Sequence, residues 1–251
     1  MARYKMTLAY DGAAFCGWQL QPGAPSVQQA LEAAIAVLLH EDVRVTGAGR
    51  TDTGVHALHY VAHFDTAVPI PSPADFRYRL NAVLPPSVAV QEVEAAEPAF
   101  HARFDAVRRR YVYFLHRQKD PFAARHSYFY GYPDVDFDAM NRAASLLVGT
   151  ADFSCFEKTG GSSKTSRCHV YSAHWEPYRP VLDFGGEYWK FTIEADRFLR
   201  NMVRAVVGTL LEVGRGRRSP ESMRELLAGR DRCRAGESVP GHALFLEEVG
   251  Y

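Results

Sequence analysis

The stretch VRVTGAGRTDTGVHALHYVAHF, residues 43–64, decides how the chain is read. Two apolar, β-branched runs flank Gly47–Ala57, where three glycines surround Arg50, Thr51, Asp52 and Thr53. A plain turn needs only one or two residues of this kind. The flanking runs predict a short strand over 43–48 and a longer one over 55–64, joined by a glycine loop.

Working outward, RYKMTLAY (3–10) alternates as a strand. A helix is predicted from Ser26, because Val27, Ala30, Leu31, Ala34, Ile35, Leu38 and Leu39 repeat at helical spacing, with Ser26 and Gln29 in capping-box positions. Downstream, ADFRYRLNAVL (74–84) reads as a helix stopped by Pro85-Pro86, and SVAVQEVEAA (87–96) as a closing strand. The order β-α-β-β-α-β is the ferredoxin-like arrangement. The second half repeats it more loosely: strand 109–117, helix 134–149, strands 169–178 and 187–195, helix 196–214, a short helix 219–229 and a last strand 242–251. The expected fold class is α+β, with two ferredoxin-like (RRM-like) halves, 1–105 and 106–251, whose antiparallel sheets lie side by side about a cleft. The loop EKTGGSSKTSR (157–167) is expected to be a mobile flap.

Net charge is zero, from 29 basic and 29 acidic residues, which argues against a generally sticky polycation. The balance is uneven: residues 1–105 carry 7 Lys and Arg against 11 acids, residues 106–251 carry 22 against 18, and residues 197–234 hold 10 arginines against 4 acids. Local guanidinium charge suits a polyanionic partner, although a solvated charged face would look the same. No apolar run approaches a membrane span, and MARYKMTLAYDG has no apolar core or cleavage site for export. Cys16, Cys155, Cys168 and Cys233 are far apart and read as free thiols in a reducing cytoplasm, with neither disulfides nor a thiolate metal site.

Asp52, two residues from Arg50, is the leading candidate for chemistry, because a carboxylate beside a guanidinium stays ionised and aimed. The glycines would permit positive φ and leave room for a bulky ligand. The bland alternative is an ordinary turn capped by Asp52. D-T-G also occurs in aspartic proteases, but their dyad needs two aspartates sharing a proton, and Arg50 opposes that state. Within 196–214, Arg197, Arg200 and Arg204 fall at i+3 and i+4 spacing opposite a broad apolar face. Arg204, in MVRAVVG, is the strongest of the three. In RRRYVYFLHR, a basic triplet precedes Tyr111 and Tyr113, which share a strand face, as in surfaces where bases stack on rings. One of the two tyrosines is expected to be core. His56, His59 and His63 do not make a metal spacing.

GRTDTGVHA, following YDGAAFCGWQLQP and SVQQALEAAI, resembles the tRNA pseudouridine synthase A family. The likeness continues through FHARFDAVRRRYVYFL, DFSCFEKTGGSSKTSR, FLRNMVRAVVG, LEVGRG and HALFLEEVGY, covering essentially the whole chain in order. It implies an isomerase, needing no metal and no nucleotide or other cofactor, that converts uridine to pseudouridine at positions 38–40 of the tRNA anticodon stem-loop. It also implies a central basic cleft, a cytoplasmic homodimer and no membrane partner. By motif, Asp52 is the catalytic aspartate, Arg204 its arginine partner, and Tyr111 the ring on the target base. Arg50, Arg103, Lys164 and Arg200 would bind substrate. The family often has histidine and asparagine where this chain has Asn201 and Ala205. The competing reading is a catalytically silent tRNA-binding protein or chaperone on the same scaffold.

Overall fold

In the computed structural model, which describes residues 1–160, 165–183 and 185–251, the alternating N-terminal run forms β1, Ala2–Tyr10, with Tyr4, Met6, Leu8 and Tyr10 facing inward. The expected helix follows as α1, Val27–Leu39. Ser26 Oγ accepts the Gln29 N–H, Val27, Leu31, Ala34, Ile35 and Leu39 are buried, and left-handed His40 ends the helix. The next strand, β2, is only Thr46–Gly47. It is shorter than 43–48 because side chains of α1 take the Val45 backbone: Glu32 accepts its N–H at 3.0 Å, and Gln28 donates to its carbonyl at 3.1 Å. Then come β3 (His56–Thr66), α2 (Pro73–Val83) and β4 (Val88–Ala96). Ser72 caps α2, and Pro73 fits its first turn. Leu84, forced extended by the proline after it, stops the helix.

The chain divides into two compact units, residues 1–107 with 245–251, and residues 108–244. In the first, β4, β1 and β3 pair antiparallel in that order. Beyond β3, β2 pairs antiparallel with Ala62 and His63, while the last strand, β10 (Leu244–Gly250), pairs in parallel with His56 and Ala57. The glycine loop is therefore the connection from β2 into β3.

The second unit contains β5 (Arg108–His116), β6 (Tyr128–Phe129), α3 (Phe137–Ser145), β7 (Gly149–Asp152), β8 (Arg167–Pro177), β9 (Tyr188–Ala195), α4 (Met202–Gly214) and α5 (Ser222–Gly229). Its sheet runs β5-β9-β8-β7, antiparallel throughout, with β6 added to β5 in parallel. The fold class is α+β, as expected, with mainly antiparallel pairing. Part of the expected flap, residues 161–164 with Lys164 among them, lies outside the described residues.

Two helices are shorter than their periodicity suggests. In α3, Asp136 caps the first turn, and Leu146, Leu147 and Val148 close i→i−3 bonds before Gly149 (φ 109°) turns the chain into β7. In α4, the helical pattern from Asp196 is interrupted. The Arg200 carbonyl accepts from Lys158 N–H at 3.0 Å, and Asn201 sits left-handed at φ 63°, so helix begins only at Met202. All four cysteines are free, and burial pushes the Cys155 and Cys168 thiols up to about 12, leaving them unreactive. Among the described residues no helix is long and apolar enough to cross a membrane.

Candidate active site

The loop between β2 and β3 is fixed through its backbone. Tyr10, Trp18 and Tyr60 form an aromatic cluster beneath it, with Trp18 stacked on Tyr60 at 4.1 Å between centroids. The Tyr60 hydroxyl donates to the Gly49 carbonyl and accepts the Gly49 N–H, so one phenol clamps both polar groups of that residue. Ala48 N–H donates to Val61, the Thr51 carbonyl accepts from Trp18 N–H, and the Tyr10 hydroxyl bonds Thr51 Oγ1 at 2.9 Å. The Asp52 carbonyl accepts from Val55 N–H, closing a turn that positive-φ Gly54 permits. What projects from this fixed path is side chain: Arg50 is exposed and Asp52 half-buried.

The three glycines serve three purposes, which refines the expectation of a uniformly permissive loop. Only Gly54 has positive φ. Gly47 is required by packing, since a Cβ there would lie 2.1 Å from the Tyr60 hydroxyl and 2.5 Å from the Trp18 ring. Around Gly49 a Cβ would meet nothing within 4 Å, which is the open approach expected for a ligand.

In the second unit, Tyr111 and Tyr113 separate as expected. Tyr113 is fully buried and donates to the Pro240 carbonyl at 3.1 Å; burial, then Tyr128, holds its phenol well above the usual range. Tyr111 is half-buried, its ring edge-on to Phe198 at 5.0 Å. The basic triplet makes contacts within its own unit: Arg108 and Arg110 both pair with buried Glu194, at 3.0 and 2.7 Å, and Arg109 donates to the Asp196 carbonyl, while Arg108 stays exposed.

Two of the arginines in 196–214 fall elsewhere than the helical spacing predicts. Arg197 and Arg200 precede α4 and do not line its face. Arg200 is exposed and donates to the Thr159 carbonyl at 3.3 Å. Arg204 lies in the first turn of α4, where a cation opposes the helix dipole. Arg204 and Glu212 are the residues of α4 that keep part of their surface. Arg204 Nε donates to the Val239 carbonyl at 2.7 Å. Arg103 is exposed in the turn after β4, 5.7 Å over the Phe104 ring.

The histidines of β3 are in structural use. Gly12 N–H donates to His56 Nδ1, and Ala102 N–H to His63 Nδ1. Buried His63 is pushed down to about 4, by desolvation first and then by Arg3 and His101. The structure thus gathers Arg50 and Asp52 in one loop of the first unit, and Tyr111, Phe198, Arg200 and Arg204 around the start of α4 in the second. Sequence reasoning missed what holds them: Tyr10, Trp18 and Tyr60 below the loop, and Val239 on Arg204. Their only signal is an aromatic at alternate strand positions and a Pro-Gly segment far along the chain.

Comparison with known proteins gives a consistent result. The family profile described as tRNA pseudouridine synthase matches residues 6–105 and 143–251. The tRNA pseudouridine synthase A of Parabacteroides distasonis is 48% identical, covering 100% of this chain and 96% of that protein. Those of Bacillus subtilis and Acetivibrio thermocellus are each 40% identical, covering 99% and 100% of this chain, and 99% and 100% of their own.

Proposed function

Because this chain belongs to the tRNA pseudouridine synthase family, a family of isomerases, we propose that it converts uridine to pseudouridine in the anticodon stem-loop of tRNA, with Asp52 as its catalytic residue. The observation that carries the assignment of Asp52 is the division of labour in its loop. Every backbone group named above is tied to the scaffold, while the carboxylate keeps part of its surface. A reactive group held this way loses little freedom when substrate arrives.

The reaction breaks the N1–C1′ bond, joins C5 to C1′, releases the C5 proton and returns a proton to N1. The target base must first leave its stack, at a cost of a few kcal/mol that is smaller near a loop. Tyr111 is assigned to stack on the extruded base and recover part of that cost. Asp52 acts ionised, by attack on the sugar or by removing a sugar proton, and Arg204 is the arginine assigned to keep it charged and aimed. Arg50, Arg103 and Arg200 are assigned to the RNA, with Lys164 beside them in sequence-based terms. The strand orders β4-β1-β3-β2 and β5-β9-β8 support reading the two units as ferredoxin-like halves. A cytoplasmic homodimer working without metal or nucleotide cofactor completes the proposal.

The test uses unmodified tRNA transcripts carrying tritium at uracil C5, with no cofactor added. Wild-type protein should release tritium, and Asp52→Asn should bind tRNA without release. Tight binding with no release by wild type from any tRNA would overturn the proposal in favour of the silent tRNA-binding protein.

A further inference from the structure

Residues 235–240 form a strap across α4, and we propose that Asn201 and Ser238 are positioning residues that aim the Arg204 guanidinium through this strap. The inference rests on the assignment of Arg204 above.

The strap is attached at two places that do different things. At the first, backbone meets backbone. A Cβ on Gly208 would lie 1.8 Å from the Glu237 carbonyl oxygen, and one on Gly236 would lie 2.8 Å from Thr209 N, so both glycines are needed for the approach. Thr209 Oγ1 accepts the Gly236 N–H at 2.9 Å while donating to the Ala205 carbonyl at 2.8 Å. These contacts hold the strap down.

The second attachment sets a direction. Ser238 Oγ accepts from Asn201 Nδ2 at 2.6 Å and from Arg232 Nη2 at 3.0 Å, while Arg232 Nη1 donates to the Gly236 carbonyl at 3.1 Å. The next residue, Val239, is paired twice with Arg204: its N–H donates to the Arg204 carbonyl at 3.2 Å, and its carbonyl accepts Arg204 Nε at 2.7 Å. A guanidinium is planar, so a bond in that plane at Nε fixes the rotation that points the two terminal nitrogens. Turning the Val239 carbonyl therefore turns the fork. Asn201 contributes twice, through its amide and through the left-handed backbone that starts α4 three residues before Arg204.

The experiment measures kcat and KM by tritium release, with thermal midpoints as a folding control, for Ser238→Ala, Ser238→Thr, Asn201→Gly, Arg204→Lys and the double variant Ser238→Ala/Arg204→Lys. Asn201→Gly keeps the left-handed turn and removes only the amide, so it carries the test if Ser238→Ala does not fold. Ser238→Ala and Asn201→Gly should each lower kcat roughly tenfold with KM unchanged, and Ser238→Thr should restore most of it. In the Arg204→Lys background, Ser238→Ala should cost nothing more, because the group it aims has gone. Losses that multiply in the double variant, or wild-type kcat in Ser238→Ala, would overturn the inference while leaving Arg204 in place. Wild-type kcat in Arg204→Lys would remove the assignment of Arg204, and the inference with it.

Discussion

Asp52 and Arg204 are held in opposite ways. Around Asp52, side chains from elsewhere grip the loop, with Tyr60 on the Gly49 backbone and Tyr10 on Thr51 Oγ1, while Arg50 and Asp52 keep part of their surface. Around Arg204, a backbone grips the side chain, with the Val239 carbonyl on Nε. The difference follows from length. Fixing its Cα leaves a short carboxylate only two torsions to settle, whereas an arginine carries about 2 kcal/mol of rotamer entropy and needs a hold near its tip. The first arrangement is sensitive to anything that moves the loop, the second to anything that moves the strap.

The largest expected effect removes what the first arrangement presents. Asp52→Asn should lower kcat on the order of 10³-fold or more, with an unchanged thermal midpoint, because the substitution keeps the side chain's size and leaves the bonds from Tyr10, Trp18 and Tyr60 to the loop in place. A large fall in that midpoint would mean that the carboxylate itself holds the loop, and the contrast with Arg204 would collapse.

Acid should loosen the strand into which the loop runs. His63 has a folded value of about 4 against an ordinary 6.5, so the unfolded chain binds its proton first. Its contribution is intact above pH 6.5 and is lost as pH falls toward 4, by on the order of 3 kcal/mol. Urea unfolding at neutral pH and near pH 4.5 should show a steeper loss for wild type than for His63→Gln, whose amide oxygen can still accept from Ala102. Equal slopes would place the acid sensitivity elsewhere.

Two glycine substitutions separate packing from access. Gly47→Ala should destabilise by about 1–3 kcal/mol through collision with Tyr60 and Trp18. Gly49→Ala should leave unfolding unchanged and reduce turnover, since the space beside it is open. Should calorimetry find both equally destabilising, the open approach at Gly49 is not real. A loss at the low end of that range is expected for Tyr60→Phe, about 1 kcal/mol for the lost clamp, with a fall in kcat at unchanged tRNA affinity.

How much of this was legible depended on distance along the chain. The glycine loop, the α1 cap and the proline stop after α2 are local, and the sequence predicts each of them. Tyr10 reaches Thr51 from 41 residues away, and nothing in GRTDTG announces it. The start of α4 was misread because helical spacing persists through 196–201, while a long-range bond from Lys158 to the Arg200 carbonyl takes the acceptor that a helix would need. The bond from Arg110 to Glu194, 84 residues further on, is likewise invisible in RRRYVYFLHR. Tyr111 and Tyr113 share a pattern, and only packing tells them apart.

The last strand has a consequence for how the protein is made. It lies along the first residues of β3, where His59 meets the Glu247 carbonyl across 188 residues of chain, and the Tyr251 hydroxyl closes on the Ala102 carbonyl at 2.7 Å. On the ribosome, the loop bearing Asp52 emerges well before the strand that flanks its exit, since Glu247 follows His59 by 188 residues. Until then the edge of β3 at His56 and Ala57 stands open to other nascent or misfolded strands. The proposed site is thereby complete only once Leu244–Gly250 has been made, and a chain without those residues would carry every residue assigned to the chemistry but lack the strand that pairs with His56 and Ala57.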